Sequence, residues 1–286
     1  PTPMLYYAEM VGQVDGAIQI TGSHNPGDQN GFKLVQGHAP FFGEAIRQLG
    51  VMAAAGDWDD GFGQSRSVSI IDRYVDRLIE GFDGCGWRIG WDAGNGAAGQ
   101  VVEQLVQRLP GEHHLLFTHI DGHFPNHHPD PSEERNLADL RALVFAKQLD
   151  FGVAFDGDGD RLGVIDGQGR VIAGDQLLGL FVPAVLEKRP GAAIVADVKA
   201  SQALFDSIAA LGGRPDMWKT GHSHIKSRMK QIGSPLGGEM TGHLFFADDY
   251  YGYDDGLYAA VRLIRAARPG RSVTDLRGAM PDLANT

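Results

Sequence analysis

Residues 155–161 read Phe-Asp-Gly-Asp-Gly-Asp-Arg, with an apolar run on either side, Phe-Gly-Val-Ala-Phe at 151–155 and Leu-Gly-Val-Ile at 162–165. Both runs have the length and composition of buried strands. Three carboxylates are thereby confined to one tight turn between two core strands. The intervening glycines let the bare backbone fold closely, so Asp156, Asp158 and Asp160 can converge on one hard cation. A solvated acidic turn is the competing reading, but such turns seldom sit between apolar strands. An EF-hand is excluded, because that loop needs Gly at its sixth position and Glu at its twelfth. This chain has Arg161 and Gly167 there. With only three acidic ligands, coordination stays open for a phosphate oxygen, which suits Mg²⁺.

The rest of the chain repeats the pattern. Residues 17–21, 87–91 and 193–196 also read as buried strands. Residues 71–79, 101–109, 137–147, 176–186, 201–211 and 256–267 read as helices, with Asp139 and Ser201 near plausible starts. Strand, loop and helix in repeated succession specify α/β architecture. The Gly/Asp/Ser-rich stretch 56–67 and the turn Asp166-Gly-Gln-Gly169 divide the chain into three expected units, residues 1–68, 69–170 and 171–282. The first unit is small for an α/β domain, and the chain opens at Pro1 rather than Met, so an incomplete N-terminal domain is expected.

Charge narrows the function. With 36 Asp and Glu against 25 Lys and Arg, the chain carries a net charge of −11. Sequence-blind binding to nucleic acid or an anionic membrane is therefore not expected, and positive charge for any anionic ligand must be local. The single cysteine, Cys85, excludes an internal disulfide framework and fits a reducing cytoplasm. The most apolar stretch, 177–186, is about half the length that a membrane span needs.

Three further motifs carry chemistry. Thr21-Gly-Ser-His-Asn-Pro26 follows a strand, so Ser23 can present its hydroxyl as a nucleophile or phosphoryl carrier, with His24 adjacent and Lys33 ten residues on. A polar turn closed by Asn-Pro is the plainer alternative. It is not the hydrolase elbow, since Asn25 stands where that motif has its second glycine. Gly237-Gly-Glu-Met-Thr-Gly-His243, preceded by Lys219-Thr-Gly-His222, sets a carboxylate and a hydroxyl at alternate positions, which suits bidentate recognition of sugar hydroxyls. Its alternative is a structural turn with a capping Glu. Gly94-Asn-Gly-Ala-Ala-Gly99, with Asp121 downstream, satisfies the dinucleotide-binding fingerprint literally and supports a rival reading as an NAD(P)-dependent oxidoreductase. The pairs His113-His114 and His127-His128 read as structural or surface residues, because adjacent side chains project in different directions.

In this order, Thr-Gly-Ser-His-Asn-Pro, Asp-Gly-Asp-Gly-Asp-Arg and Gly-Glu-Met-Thr-Gly-His, the motifs resemble those of the α-D-phosphohexomutases, most closely the bacterial phosphomannomutase/phosphoglucomutase branch. Asn30-Gly-Phe-Lys33, Asp92-Ala-Gly-Asn-Gly96 and Phe124-Pro-Asn-His-His-Pro-Asp-Pro131 extend the resemblance, which runs from Pro1 to about residue 282. It implies consecutive α/β domains with mixed sheets, and interconversion of hexose 1- and 6-phosphates through a phosphoserine and a bisphosphorylated sugar. Such an enzyme is an intramolecular phosphotransferase, an isomerase. By resemblance, Ser23 carries the phosphoryl group and joins Asp156, Asp158 and Asp160 around Mg²⁺, with His24 beside it. Lys33 and His243 move protons, Arg161 and Lys199 line the cleft with positive charge, Glu239 and Thr241 grip the sugar, and His222 helps hold it. Glucose 1,6-bisphosphate is the implied activator and intermediate. The implied protein is a cytoplasmic monomer with hexose phosphates as partners and neither nucleic acid nor membrane. Thr241 stands where the family more commonly has serine. A fourth domain with a phosphate-gripping loop is expected to be absent, so impaired turnover, or a sugar-phosphate-binding fragment without activity, is a further expectation.

Overall fold

Apolar runs of about five residues make short strands, and the amphipathic stretches between them make the helices that cover those strands. The computed structural model describes residues 1–26 and 28–279, so the expected end of the third unit, residues 280–282, lies outside the described residues. Helix α1 (Thr2–Val11) precedes an antiparallel meander of β1 (Gly16–Ile20), β2 (Phe32–Gln36) and β3 (Ala39–Phe41), followed by α2 (Glu44–Ala55). Helix α3 (Ile71–Leu78) leads into β4 (Trp87–Asp92), α4 (Gly99–Val106), β5 (Gly111–Leu116), α5 (Ala138–Lys147), β6 (Phe151–Phe155), β7 (Leu162–Asp166) and β8 (Val171–Ile172). These strands form a mixed sheet in the order β5-β4-β6-β7-β8, parallel through β5, β4 and β6 and antiparallel beyond.

The remaining elements are α6 (Gly174–Lys188), β9 (Ala193–Asp197), α7 (Gln202–Ala210), β10 (Arg214–Trp218), α8 (His222–Ile232), β11 (Leu236–Gly238), β12 (Leu244–Phe246), α9 (Gly256–Ala266) and α10 (Val273–Gly278). Their sheet runs β10-β9-β11-β12, with only the β11–β12 pair antiparallel. The α/β architecture with mixed sheets read from the sequence is the architecture observed. No helix of the described residues is long and apolar enough to cross a membrane.

Strands β6, β7 and β9 are buried along their whole length, as their unbroken apolar runs require. Strand β1 corrects the reading of 17–21 as buried. Ile18 and Ile20 are 59% and 62% exposed, because β1 is the edge strand of a three-stranded sheet and, among the described residues, pairs only with β2. Helix α9 is apolar on nearly every side and correspondingly buried, packed against β6 and β7 of one sheet and β12 of the other. One hydrophobic core therefore runs through both sheets, from Trp91 and Phe155 to Phe181, Phe246 and Tyr258.

Asp255 starts α9 and anchors that junction. Its carboxylate accepts the backbone N–H of Tyr258 at 2.9 Å and the hydroxyls of Tyr74 and Tyr250 at 2.9 and 2.8 Å. Burial pushes its carboxyl up to about 7. Replacing Asp255 by Ala removes a helix cap and strands two buried hydroxyls, which should cost about 3 kcal/mol of stability. Urea unfolding of Asp255→Ala measures this, and a loss under about 0.5 kcal/mol would contradict the anchoring role.

Candidate active site

Strand β1 delivers the Ser23 turn to the β6–β7 turn. Thr21 Oγ1 accepts the Ser23 N–H at 2.8 Å, and Asn25 N–H bonds Gly22 O at 2.8 Å, closing a loop in which Ser23 has a φ of 52°. A left-handed conformation is unusual for a side-chain-bearing residue, and such strain gathers at functional sites. It aims the hydroxyl: Ser23 Oγ donates to Asp156 Oδ2 at 2.9 Å and lies 3.0 Å from His24 Nδ1. The approach is so close that a Cβ on Gly157 would fall 1.9 Å from the Ser23 carbonyl oxygen.

Asp156, Asp158 and Asp160 are all buried, and each offers an oxygen within 4.8 Å of the others. Asp156 Oδ1 accepts the backbone N–H groups of Asp160 and Arg161, at 3.1 and 3.2 Å. Lys33 Nζ, from β2, bridges Asp158 Oδ2 at 2.7 Å and Asp160 Oδ2 at 2.5 Å, and Thr2 Oγ1 donates to the same Asp158 oxygen at 2.5 Å. Burial and the charges of Asp160 and Asp158 push the Asp156 carboxyl well above its usual range. Burial works the same way on Asp158, but the Lys33 charge and its hydrogen bond outweigh it and hold that carboxyl low. Burial disfavours the Lys33 ammonium, yet Asp160 and Asp158 overcome this and hold it charged. The other oxygens of Asp158 and Asp160 are buried without a hydrogen-bond partner among the described residues. Oxygen-only donors, excess negative charge and orphaned lone pairs fit a hard divalent cation.

The 238–243 loop closes over this turn. Leu162 N–H bonds Gly242 O at 3.0 Å, and Gly256 N–H bonds Gly159 O at 3.2 Å. Buried His243 thereby reaches Arg161, whose Nε donates to His243 Nε2 at 3.1 Å. Its Nδ1 lies 3.1 Å from Asp254 Oδ2 and 3.6 Å from Asp160 Oδ1. Burial opposes a charged His243, but Asp160 and Asp254 prevail and raise its pKa. His222 stacks on it at 5.6 Å, and burial drives the His222 pKa down to about 4, which keeps that ring neutral. Glu239 is buried and accepts the Gly221 N–H, and burial raises its carboxyl. Thr241 is half-buried beside it. The loop is tied to β9 by Asp197, which accepts Thr220 Oγ1 at 3.0 Å and Met240 N–H at 3.3 Å.

Ser23, His24, Lys33, Arg161, His222, Glu239, Thr241, His243 and the three aspartates thus gather around two adjoining turns. Lys199 stands exposed on the turn after β9 and makes no ion pair among the described residues. Sequence reasoning missed Thr2, Lys226 and Asp254. Lys226 Nζ bonds Asp254 Oδ1 at 2.7 Å and lies 4.3 Å from the Tyr6 ring centroid. The two aspartates before an apolar helix signal a cap, but not that one of them faces the site. A cavity of about 800 Å³ between β2, β3 and α8 meets the site at Lys33, His222 and Lys226. It lacks Ser23, Glu239 and the aspartates.

The 94–99 turn is packed tightly against its neighbours. Ala97 N–H is spent on Gly157 O at 2.9 Å, and a Cβ on Gly99 would meet Thr118 O at 1.9 Å. Asp121 accepts the His123 N–H within its own turn. The glycines serve close packing, and the oxidoreductase reading is not favoured. Of the paired histidines, His127 bonds buried Asp92 at 3.0 Å and His113 accepts Trp91 Nε1 at 3.1 Å. His128 is exposed, with its ring 6.3 Å from that of His24.

The chain is similar to known proteins over most of its length. Models of phosphoglucomutase/phosphomannomutase alpha/beta/alpha domains I, II and III match residues 1–51, 72–169 and 173–283. The phosphomannomutase/phosphoglucomutase of Pseudomonas aeruginosa is 44% identical over 265 residues, covering 92% of this chain and 57% of that protein. The phosphoglucomutase of Neisseria meningitidis is 40% identical over 292 residues, covering 100% of this chain and 63% of that protein. A crystal structure of a phosphoglucomutase/phosphomannomutase family protein from Burkholderia thailandensis superposes with a TM-score of 0.94 at 42% identity, covering 99% of this chain and 64% of that one. The chain thus spans about three fifths of the length of these relatives.

The contact between the two turns generates a prediction. In Gly157→Ala the new methyl meets backbone, not a flexible side chain, so the Ser23 turn must move away from Asp156. Overpacking of this kind should destabilise the chain by about 1–3 kcal/mol. Denaturant unfolding checks the cost, and a crystal structure of the variant should show the Ser23–Asp156 hydrogen bond broken. An unchanged stability with that bond intact would refute the packing argument.

Proposed function

The chain belongs to the phosphoglucomutase/phosphomannomutase family, and from that premise we propose that it interconverts hexose 1- and 6-phosphates through a phosphoserine at Ser23. The observation that carries this reading is the Ser23 hydroxyl, 2.9 Å from Asp156 in a buried cluster of three carboxylates with Lys33 and Arg161 beside it. In this proposal residues 1–68 supply Ser23 and Lys33, residues 69–170 the aspartates and Arg161, and residues 171–282 the sugar-binding loop.

Phosphoryl transfer asks for alignment of donor and acceptor and for cations that spread the charge of the moving group. Asp156, Asp158 and Asp160 would hold Mg²⁺, which when bound supplies that charge neutralisation. Arg161, fixed by His243 and lying 3.8 Å from Asp156, adds a second positive group beside Ser23. His243 is the better-suited proton handler, since Asp254 orients one ring nitrogen and Arg161 the other. Lys33, held charged by two carboxylates, is suited to balancing charge rather than to accepting a proton. Glu239 and Thr241 would receive the sugar hydroxyls, with neutral His222 as a hydrogen-bonding wall and Lys199 at the rim. The phosphoryl group passes from Ser23 to the free hydroxyl of a hexose phosphate, giving a bisphosphate. The other phosphate then returns to Ser23. Glucose 1,6-bisphosphate is the matching activator. A net charge of −11 supports the lack of a nucleic-acid partner and one half-buried thiol supports a cytoplasmic setting, with a monomer as the working state in this reading.

Incubation with Mg²⁺ and glucose 1,6-bisphosphate should add one phosphate to the chain, detected as intact mass and located at Ser23. Ser23→Ala should gain none. Equal labelling of the variant, or no gain by the unaltered chain, would overturn the proposal, the latter leaving a sugar-phosphate binder without transfer.

A further inference from the structure

We propose that Asp160, His243 and Asp254 form a second divalent-cation site, beside the three-aspartate cluster and suited to Zn²⁺, whose occupation blocks phosphoryl transfer. The blocking effect rests on the function proposed above; the site itself does not. Asp160 Oδ1, His243 Nδ1 and Asp254 Oδ2 all lie within 4.8 Å of one another, on residues that are 0%, 5% and 0% exposed. Among the described residues none of these three atoms, nor His222 Nδ1 next to them, meets hydrogen-bond geometry, and they face one another as ion pairs. Buried polar atoms that face one another as ion pairs with no well-aligned hydrogen bond can be completed by a cation.

The spacing selects the ion. His243 Nδ1 is 3.1 Å from Asp254 Oδ2 and 3.6 Å from Asp160 Oδ1, and His222 Nδ1 is 3.4 Å from that Asp254 oxygen. Bonds of about 2.0–2.1 Å in a tetrahedron put neighbouring ligand atoms about 3.3 Å apart. A set that mixes imidazole and carboxylate suits zinc, whereas Mg²⁺ takes oxygen and retains water. The far side of each ligand is already fixed by a cation: Lys33 on Asp160 Oδ2 at 2.5 Å, Lys226 on Asp254 Oδ1 at 2.7 Å and Arg161 on His243 Nε2 at 3.1 Å. Outer contacts of this kind orient ligand atoms toward a metal. His222 Nδ1 approaches only the Asp254 oxygen, so the fourth position is left to water.

The consequence follows from one proton. Because Arg161 donates to Nε2, the neutral His243 ring carries its proton on Nδ1. An ion on Nδ1 requires that proton to move to Nε2. Arg161 must then turn away, toward Asp130 Oδ1, which already lies 3.7 Å from its guanidinium. His243 and Arg161 are both withdrawn from the transfer, and Asp160 is shared between the two cations.

The test titrates Zn²⁺ into the Mg²⁺-saturated chain in competition with a chromophoric chelator. One tight equivalent is expected. Asp254→Asn and His243→Gln should each weaken it at least tenfold, with thermal melts verifying that either variant folds. Asp158→Asn, outside the site, should leave it within about twofold. Unchanged affinity in both His243→Gln and Asp254→Asn would overturn the proposal. So would loss of the tight Zn²⁺ in Asp158→Asn with displacement by Mg²⁺, which would place the ion in the aspartate cluster. Phosphate labelling separates the two readings. Zn²⁺ bound as expected on a chain that Ser23 labelling never marks upholds the site while the mutase reading fails. Labelling that Zn²⁺ at site-saturating concentration does not slow overturns the blocking role.

Discussion

Three carboxylates packed on one turn repel one another, and the Lys33 ammonium shared between Asp158 and Asp160 is the contact that holds them together. Taken alone, buried like charges would drive the turn apart or force protons onto it. The raised Asp156 carboxyl reflects that pressure, and the low Asp158 carboxyl reflects its relief by Lys33. Because Lys33 comes from β2, this same relief docks the first sheet onto the second, with Thr2 as a second tie to Asp158. Local charge therefore fixes both the electrostatics of the site and the meeting of two parts of the chain.

The third sheet joins by the same logic. Asp254 draws Lys226, His222 and His243 to itself, and His243 passes the connection to Arg161 at the end of the aspartate turn. Four buried aspartates thus alternate with Lys33, Arg161, Lys226 and the histidines. The three cations here offset the buried aspartates, and a divalent cation would be needed to leave positive charge for an anionic ligand. Such a network is costly to break on one side only, since each lost partner leaves a buried charge uncompensated. Helix α9 begins one residue beyond Asp255, so its buried capping network and the site share one rigid starting point.

Much of the centre was legible in the sequence because its signals are local. Unbroken apolar runs marked β6, β7 and β9, and the glycines between the aspartates marked the turn. The polar strands were not legible. Gly-Glu-His-His-Leu-Leu of β5 and Arg-Pro-Asp-Met-Trp of β10 lie at sheet edges with largely exposed faces, so their residues carry no strand pattern. The opposite error at β1, where isoleucines suggested burial, has the same cause, since composition does not reveal which strand lies at an edge. Asp254 and Lys226 belong to no motif, and their pairing with His243 and Tyr6 is set by where α8 meets the segment before α9. Lys199 was named by family resemblance, and its exposed turn offers no contact that would have singled it out.

The central claim is that the β6–β7 turn is a cation site assembled from Asp156, Asp158 and Asp160. Calorimetric titration with Mg²⁺, run on the unaltered chain and on the double variant Asp156→Asn, Asp158→Asn, tests it most directly. The account predicts one bound Mg²⁺ per unaltered chain and no measurable binding to the folded double variant. Equal Mg²⁺ affinity in the two proteins would contradict it.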